Sequence, residues 1–137
     1  LEINPYHLNT LIRLCVINHN NNDKLKALDF IIRAYQINPA NGEVCYWMGV
    51  EHYNQKIFDS SIKYLSEGLN YDPLSSVLLQ YRSFVYYQNK NYPEAEKDFE
   101  VLLKISSDNK KWIVNFLEGK IKQKDSIAEG ILKKLKL

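Results

Sequence analysis

The sequence predicts an all-α fold, a solenoid of stacked antiparallel helix hairpins. Three observations carry that prediction: a recurrence every 34 residues, two amphipathic stripes inside each period, and small residues that return at matching places. Proline marks the recurrence. LEINP ends at Pro5, YQINP at Pro39 and LNYDP at Pro73, two equal steps of 34 residues. A third step reaches Ser107 in LKISSDN, where the proline is gone but its surroundings persist. A fixed period of this size marks an architecture in which each unit buries its apolar face on its neighbours.

The first period places Leu11, Leu14, Cys15 and Asn18 on one helical face, then breaks at Asn20-Asn21-Asn22-Asp23. Spacings of three and four residues are those of an amphipathic helix. A second helix carries Ala27, Ile31, Ala34 and Tyr35. The second period repeats the scheme with Cys45, Met48, Gly49 and His52, then Ser61, Leu65, Gly68 and Leu69. The third has Leu79, Arg82, Ser83 and Tyr86, then Ala95, Phe99, Leu102 and Leu103. Each second helix stops ahead of a proline or polar turn, which cannot extend it. Small residues recur at Ala27, Ser61 and Ala95, and again at Ala34 and Gly68, where they let two helices approach closely. Ile31, Leu65 and Phe99, four residues after the first set, fill the space beside them.

These marks divide a single domain into units 8–41, 42–75 and 76–109, with 1–7 as the end of a preceding repeat. Residues 110–137 form a degenerate capping unit. A helix from about Lys110 to Lys124 carries Ile113, Phe116 and Leu117 on one face, and Asp125 opens a short helix with Ala128, Leu132 and Leu135 inward. A terminal unit needs a more polar outer face, which accounts for its lysines. The start without Met, in mid-pattern, reads as the C-terminal part of a longer protein, so localisation stays open.

At 45% hydrophobic and 25% charged residues, the composition suffices for a folded core. Charge is uneven: residues 1–109 carry 10 basic and 13 acidic side chains, and 110–137 carry 8 Lys against three acids. A basic end suits an acidic partner or a membrane surface, but a solvated lysine face that keeps the terminal helices soluble is the simpler reading. Cys15 and Cys45 form no Cys-x-x-Cys pair and sit on apolar faces, where a free thiol behaves as a small hydrophobe. No stretch approaches the roughly 18 uninterrupted apolar residues of a membrane span.

The residues resemble the tetratricopeptide repeat, whose units open with a Trp-x-x-Leu-Gly-x-x-Tyr pattern, continue with Ala-x-x-x-Phe and close on Pro. The unit from Gly42 to Ser75 matches best. Met48-Gly49 stands at Leu-Gly and Pro73 at the closing Pro, while Cys45 replaces the Trp and His52 the Tyr. Tyr92-Pro93-Glu94-Ala95 and Phe99 are also similar to the family. The resemblance implies a right-handed superhelix and a protein–protein interaction scaffold or adaptor whose groove is lined by the first helix of each hairpin.

Removing the packing positions leaves the candidate groove. The first unit offers Ile12, Arg13, Val16, His19 and Asn20. The second offers Glu43, Tyr46, Trp47, Val50, Tyr53 and Asn54, and the third Val77, Gln80, Tyr81, Phe84, Tyr87 and Gln88. The strongest candidates are Ile12, Arg13, Val16, Tyr46, Trp47, Val50, Tyr53, Tyr81, Phe84 and Tyr87. Trp and Tyr dominate the energetic centres of interfaces, and a contiguous exposed apolar patch marks an interaction site. The expected partner is another protein, presented as an extended peptide or an amphipathic helix. Family members that hold the acidic tails of heat-shock chaperones use Lys, Asn and Arg at set groove positions. This chain has Ile12, Val16, Trp47, Val77 and Tyr81 there, with Arg13 and Arg82 one place off, so that clamp is not expected.

Other classes find less support. No convergent set of titratable groups, phosphate loop or nucleophile elbow points to an enzyme or a cofactor. Cys15 and His19 lie four apart on a helix, yet two ligands do not make a zinc site. Nucleic-acid binding asks for basic residues among the aromatics, whereas here the lysines lie at the end and the middle is acidic. The alternative to a foreign partner is self-association, through an apolar edge of Leu132, Leu135 and Leu137, or occupancy of the groove by a missing N-terminal region.

Overall fold

The computed structural model describes residues 5–137, and among them it has eight helices and no strand. They are α1 (Pro5–Asn20), α2 (Lys24–Ile37), α3 (Gly42–Asn54), α4 (Phe58–Tyr71), α5 (Ser76–Gln88), α6 (Tyr92–Ile105), α7 (Ser107–Lys122) and α8 (Ser126–Lys134). Side-chain oxygens of Asp23, Asn41, Ser75, Ser106 and Asp125 accept the first free amides of α2, α3, α5, α7 and α8. These are the residue types that satisfy helix N-termini best. Helix α1 begins at Pro5, so residues 5–7 of the expected 1–7 segment are continuous with the first helix. Proline suits a first helical position, where no amide partner is needed. Residues 1–4, the rest of that expectation, lie outside the described residues. Helix α7 likewise begins at Ser107, before the expected Lys110, because Ser106 caps it.

A second ruler runs through the turns inside the hairpins. Asn22, Lys56, Lys90 and Lys124 all have left-handed backbone, with φ of 63°, 63°, 63° and 65°. The next amide reaches back five residues in each case: Asp23 to the Asn18 carbonyl, Ile57 to His52, Asn91 to Tyr86 and Asp125 to Lys120. One left-handed residue and a six-to-one bond is a common way to end a helix, and glycine normally fills it. Here lysine does so three times. This ruler continues into the fourth hairpin, where the proline ruler has stopped.

Successive helices pack on one another along the stack, and α3 also touches α1 and α5, so each hairpin meets the ones beside it. The interior divides into two clusters. Leu8, Leu11, Cys15, Ala27, Ile31, Ala34, Val44 and Met48 anchor the first, and residues from Leu65 to Ile131 the second. The small residues do what their recurrence predicts. Ala27, Ser61, Ala95, Ala34 and Gly68 are all buried. A Cβ on Gly49 would come within 2.5 Å of Leu65 Cγ, and one on Gly68 within 3.0 Å of Cys45 and Leu78. Ser61 Oγ donates to the Gly49 carbonyl at 2.7 Å and fastens the same contact.

The last hairpin keeps the turn but not the packing register. Glu129 and Lys133 occupy the places of Ala95 and Phe99, and neither is buried. Helix α8 instead buries Ala128 and Ile131, a face turned by about one residue. Leu132, Leu135 and Leu137, read from sequence as an exposed edge for self-association, lie half-buried against the second cluster. A helix whose expected core positions are charged can bury apolar surface only by rotating.

Candidate functional site

The first helices of the hairpins bring their aromatic side chains together in one file. His19 on α1 meets Trp47 on α3 edge-on, with centroids 5.3 Å apart. Trp47 meets Tyr46 at 5.2 Å, and Tyr46 meets Tyr81 on α5 at 5.6 Å. Tyr81 and Tyr53 both reach Phe84, at 5.5 and 5.0 Å. Phe84 continues to Phe116 on α7 at 5.9 Å, and Phe116 lies flat on Trp112, 3° from parallel. Edge-to-face and offset pairs at these distances contribute beyond their buried area. These rings are half-buried.

Two clefts open along this file. One, of about 360 Å³, is lined by Gly42, Glu43, Tyr46, Trp47, Asp72, Ser75, Val77 and Leu78. The other, of about 320 Å³, is lined by Tyr46, Val77, Gln80, Tyr81, Phe84 and Trp112. They share Tyr46 and Val77, so the two are neighbouring compartments of one groove across α3, α5 and α7. Val77 is 56% exposed, an aliphatic side chain standing between them.

The structure sorts the ten candidate residues. Tyr46, Trp47, Tyr53, Tyr81 and Phe84 stand together along the groove face. Val16 and Trp47 are both half-buried against the first cluster, and Arg13 on α1 is exposed. Three expectations are corrected. Ile12 at 5%, Val50 at 3% and Tyr87 at 3% exposure are interior residues. Ile12 joins the first cluster, and Tyr87 is held inside by its hydroxyl, which donates to Asp125 on the last hairpin. Burial, together with that carboxylate, pushes the Tyr87 phenol up from its ordinary range.

Several residues of the site or its support were not singled out for it by the sequence, among them Asp72, Trp112, Phe116 and Glu51. Trp112 and Phe116 lie four apart on α7, the first helix of the fourth unit, so carrying the groove register one unit further could have found both rings. Glu51 is fully buried between α1 and α3. One of its oxygens meets His19 Nδ1 at 2.8 Å, and the other has no partner among the described residues. Burial raises its carboxyl pKa, against the lowering effect of His19.

No family model matches the chain, and no curated protein matches it. Solved structures do. The structure of SycD from Yersinia enterocolitica in complex with a peptide of the translocator YopD is similar at a TM-score of 0.75 and 14% identity, covering 99% of this chain and 97% of that one. The second TPR of Spaghetti (RPAP3), bound to the HSP90 peptide SRMEEVD, gives 0.68 at 14% identity over 73% and 93%. A point mutant of MamA gives 0.68 at 21% identity, covering 75% of each chain. This chain has the tetratricopeptide-repeat fold.

Within the tetratricopeptide fold, the two departures from the pattern in the best-matching unit have structural reasons. Cys45, at the position of the opening Trp, is buried against Gly68, and its thiol donates to the Pro39 carbonyl at 3.4 Å. Burial pushes that thiol up to about 11. His52, at the position of the Tyr, bonds the Met48 carbonyl through Nδ1 at 2.6 Å and lies beside the Tyr64 ring. Arg82, the basic residue nearest the groove pattern on α5, is committed elsewhere. Its guanidinium grips both oxygens of Asp98, at 2.9 and 2.7 Å, and donates to Ser66 at 3.1 Å.

Proposed function

We propose that this chain is a non-catalytic binding module that holds a segment of another protein, an extended peptide or an apolar helix face, in the aromatic groove across α3, α5 and α7. The continuous file of half-open rings from Trp47 to Trp112 carries this reading, because aromatic side chains contribute most to binding when they already stand in place. Tetratricopeptide structures that hold peptides, of HSP90 in one case and YopD in another, support it by analogy of fold. This reading includes no clamp for an acidic tail. Trp47 and Tyr81 stand at clamp positions, and Arg82 is engaged by Asp98.

The test is affinity capture from source-cell lysate with the original chain beside a Trp47→Ala/Tyr81→Ala version. Circular dichroism must first show the two equally helical. A protein retained by the original and lost with the double variant supports the groove as the partner site. Equal retention by both versions, or no specific retention by either, overturns the reading.

A further inference from the structure

We infer that the compartment between α3 and α5 receives a basic side chain, lysine or arginine, of the segment that occupies the groove. The inference rests on the proposed groove and specifies the chemistry of one of its anchors. Tyr46 and Trp47 form the aromatic part of this compartment, Val77 and Leu78 its aliphatic part, and Glu43 and Asp72 stand exposed among them. Among the described residues, no lysine, arginine or histidine lines it.

The two carboxylates differ from most acidic groups of the fold. Asp23, Asp29, Glu94, Glu96, Asp98 and Glu129 each pair with a lysine or arginine, Glu51 meets His19, and Glu67 accepts from Tyr35. The side chains of Glu43 and Asp72 make no hydrogen bond or ion pair among the described residues. Two free carboxylates lining the same compartment as Tyr46 and Trp47 set a negative potential beside its apolar lining. A lysine or arginine fits that combination. Its methylene stem covers Val77 and Tyr46 while its charge meets the rings and carboxylates. An acidic side chain would face repulsion from both carboxylates with no donor to offset it. The adjoining compartment, walled by Tyr81, Phe84 and Trp112, has no charged residue among its described lining, so it takes the apolar neighbour of the basic residue.

The experiment is selection of random short peptides displayed on phage. It is run in parallel against the original chain, a Glu43→Gln/Asp72→Asn version and the Trp47→Ala/Tyr81→Ala version, all shown equally helical. The expected result is enrichment of lysine or arginine at one position beside apolar residues. A synthetic copy of the selected peptide should weaken about tenfold when that residue becomes norleucine, and by a similar factor on the Glu43→Gln/Asp72→Asn chain, with the difference shrinking in high salt. If the selected peptides need Trp47 and Tyr81 but show no basic preference, or prefer acidic residues, the charge assignment is overturned and the groove stands. If no peptide is enriched, or all bind the Trp47→Ala/Tyr81→Ala version equally, the groove reading falls and this inference with it.

Discussion

The hairpins α3–α4 and α7–α8 share one turn but are packed by different means. In the former, Gly49 and Ser61 bring the helices into contact and Leu65 fills the gap, so close that a Cβ on Gly49 has no room. In the latter, Gly119 and Gly130 have open space around them, and α8 is turned so that Ala128 and Ile131 face inward. Yet the left-handed turn residue and its closing bond are the same at Lys56 and Lys124. Backbone geometry thus survives where the side-chain pattern has decayed. A turn is defined by a few local bonds, whereas interhelical packing needs many side chains to agree at once.

The largest expected effect tests how the middle of the stack is held. Arg82 and Asp98 occupy places that one period away hold Met48 and Tyr64, or Phe116 and Leu132, all apolar or aromatic. Asp98→Ala strands a largely buried guanidinium and should cost about 3 kcal/mol in urea unfolding. The combined Arg82→Met/Asp98→Leu change, which copies the other hairpins, should recover most of that loss. A double variant no more stable than the single would show that the pair is required.

Next in size is the glycine contrast. Gly49→Ala should cost about 1–3 kcal/mol because Leu65 must move in a packed core. Gly119→Ala should stabilise by about 0.5–1 kcal/mol, since alanine restricts the unfolded chain and meets nothing. Equal effects at the two sites, read by thermal melts, would erase the distinction between the hairpins.

The shared turn gives a smaller effect of the same size at both places. Lys56→Asn and Lys124→Asn should each raise stability by about 0.5–1 kcal/mol, because asparagine accepts left-handed backbone more readily than lysine. A gain at one site only would mean that the turns are not equivalent.

The last prediction is one of slope. Glu51 has a raised folded pKa, so as pH rises the unfolded chain releases this proton before the folded one does. Its contribution therefore becomes destabilising from the ordinary carboxylate range up to the raised value, and is constant above that. The melting temperature of Glu51→Gln minus that of the original should increase as pH rises above the ordinary carboxylate range, and then level off. A flat difference would place the Glu51 carboxyl in its ordinary range.

Much of this architecture was legible in the sequence, for a physical reason. Residues that let helices approach, such as Ala27, Ser61 and Gly68, tolerate few substitutes, so they show the period directly. The groove was less legible. Val50 lies one period after Val16 and one before Phe84, yet it is buried while Phe84 stays half-open. Position in a repeat fixes direction, but exposure also depends on what the neighbouring hairpin places above it. Tyr87 went astray for the same reason, since its partner Asp125 lies 38 residues away. Asp72 could not be read as part of the site because it comes from the loop after α4, outside the helix that the register follows.

The file of rings has an optical consequence. Trp47 and Trp112 stand near its two ends, one edge-on to a tyrosine and a histidine and the other flat on a phenylalanine. Tyr46, Tyr81 and Tyr53 lie between them at fixed mutual angles. Light absorbed by the tyrosines is therefore expected to pass to two indoles in unlike surroundings, and near-ultraviolet dichroism should report the ring arrangement. Trp47 lines one of the two clefts and Trp112 the other, so a ligand seated in either would be expected to alter that signal on the unlabelled chain.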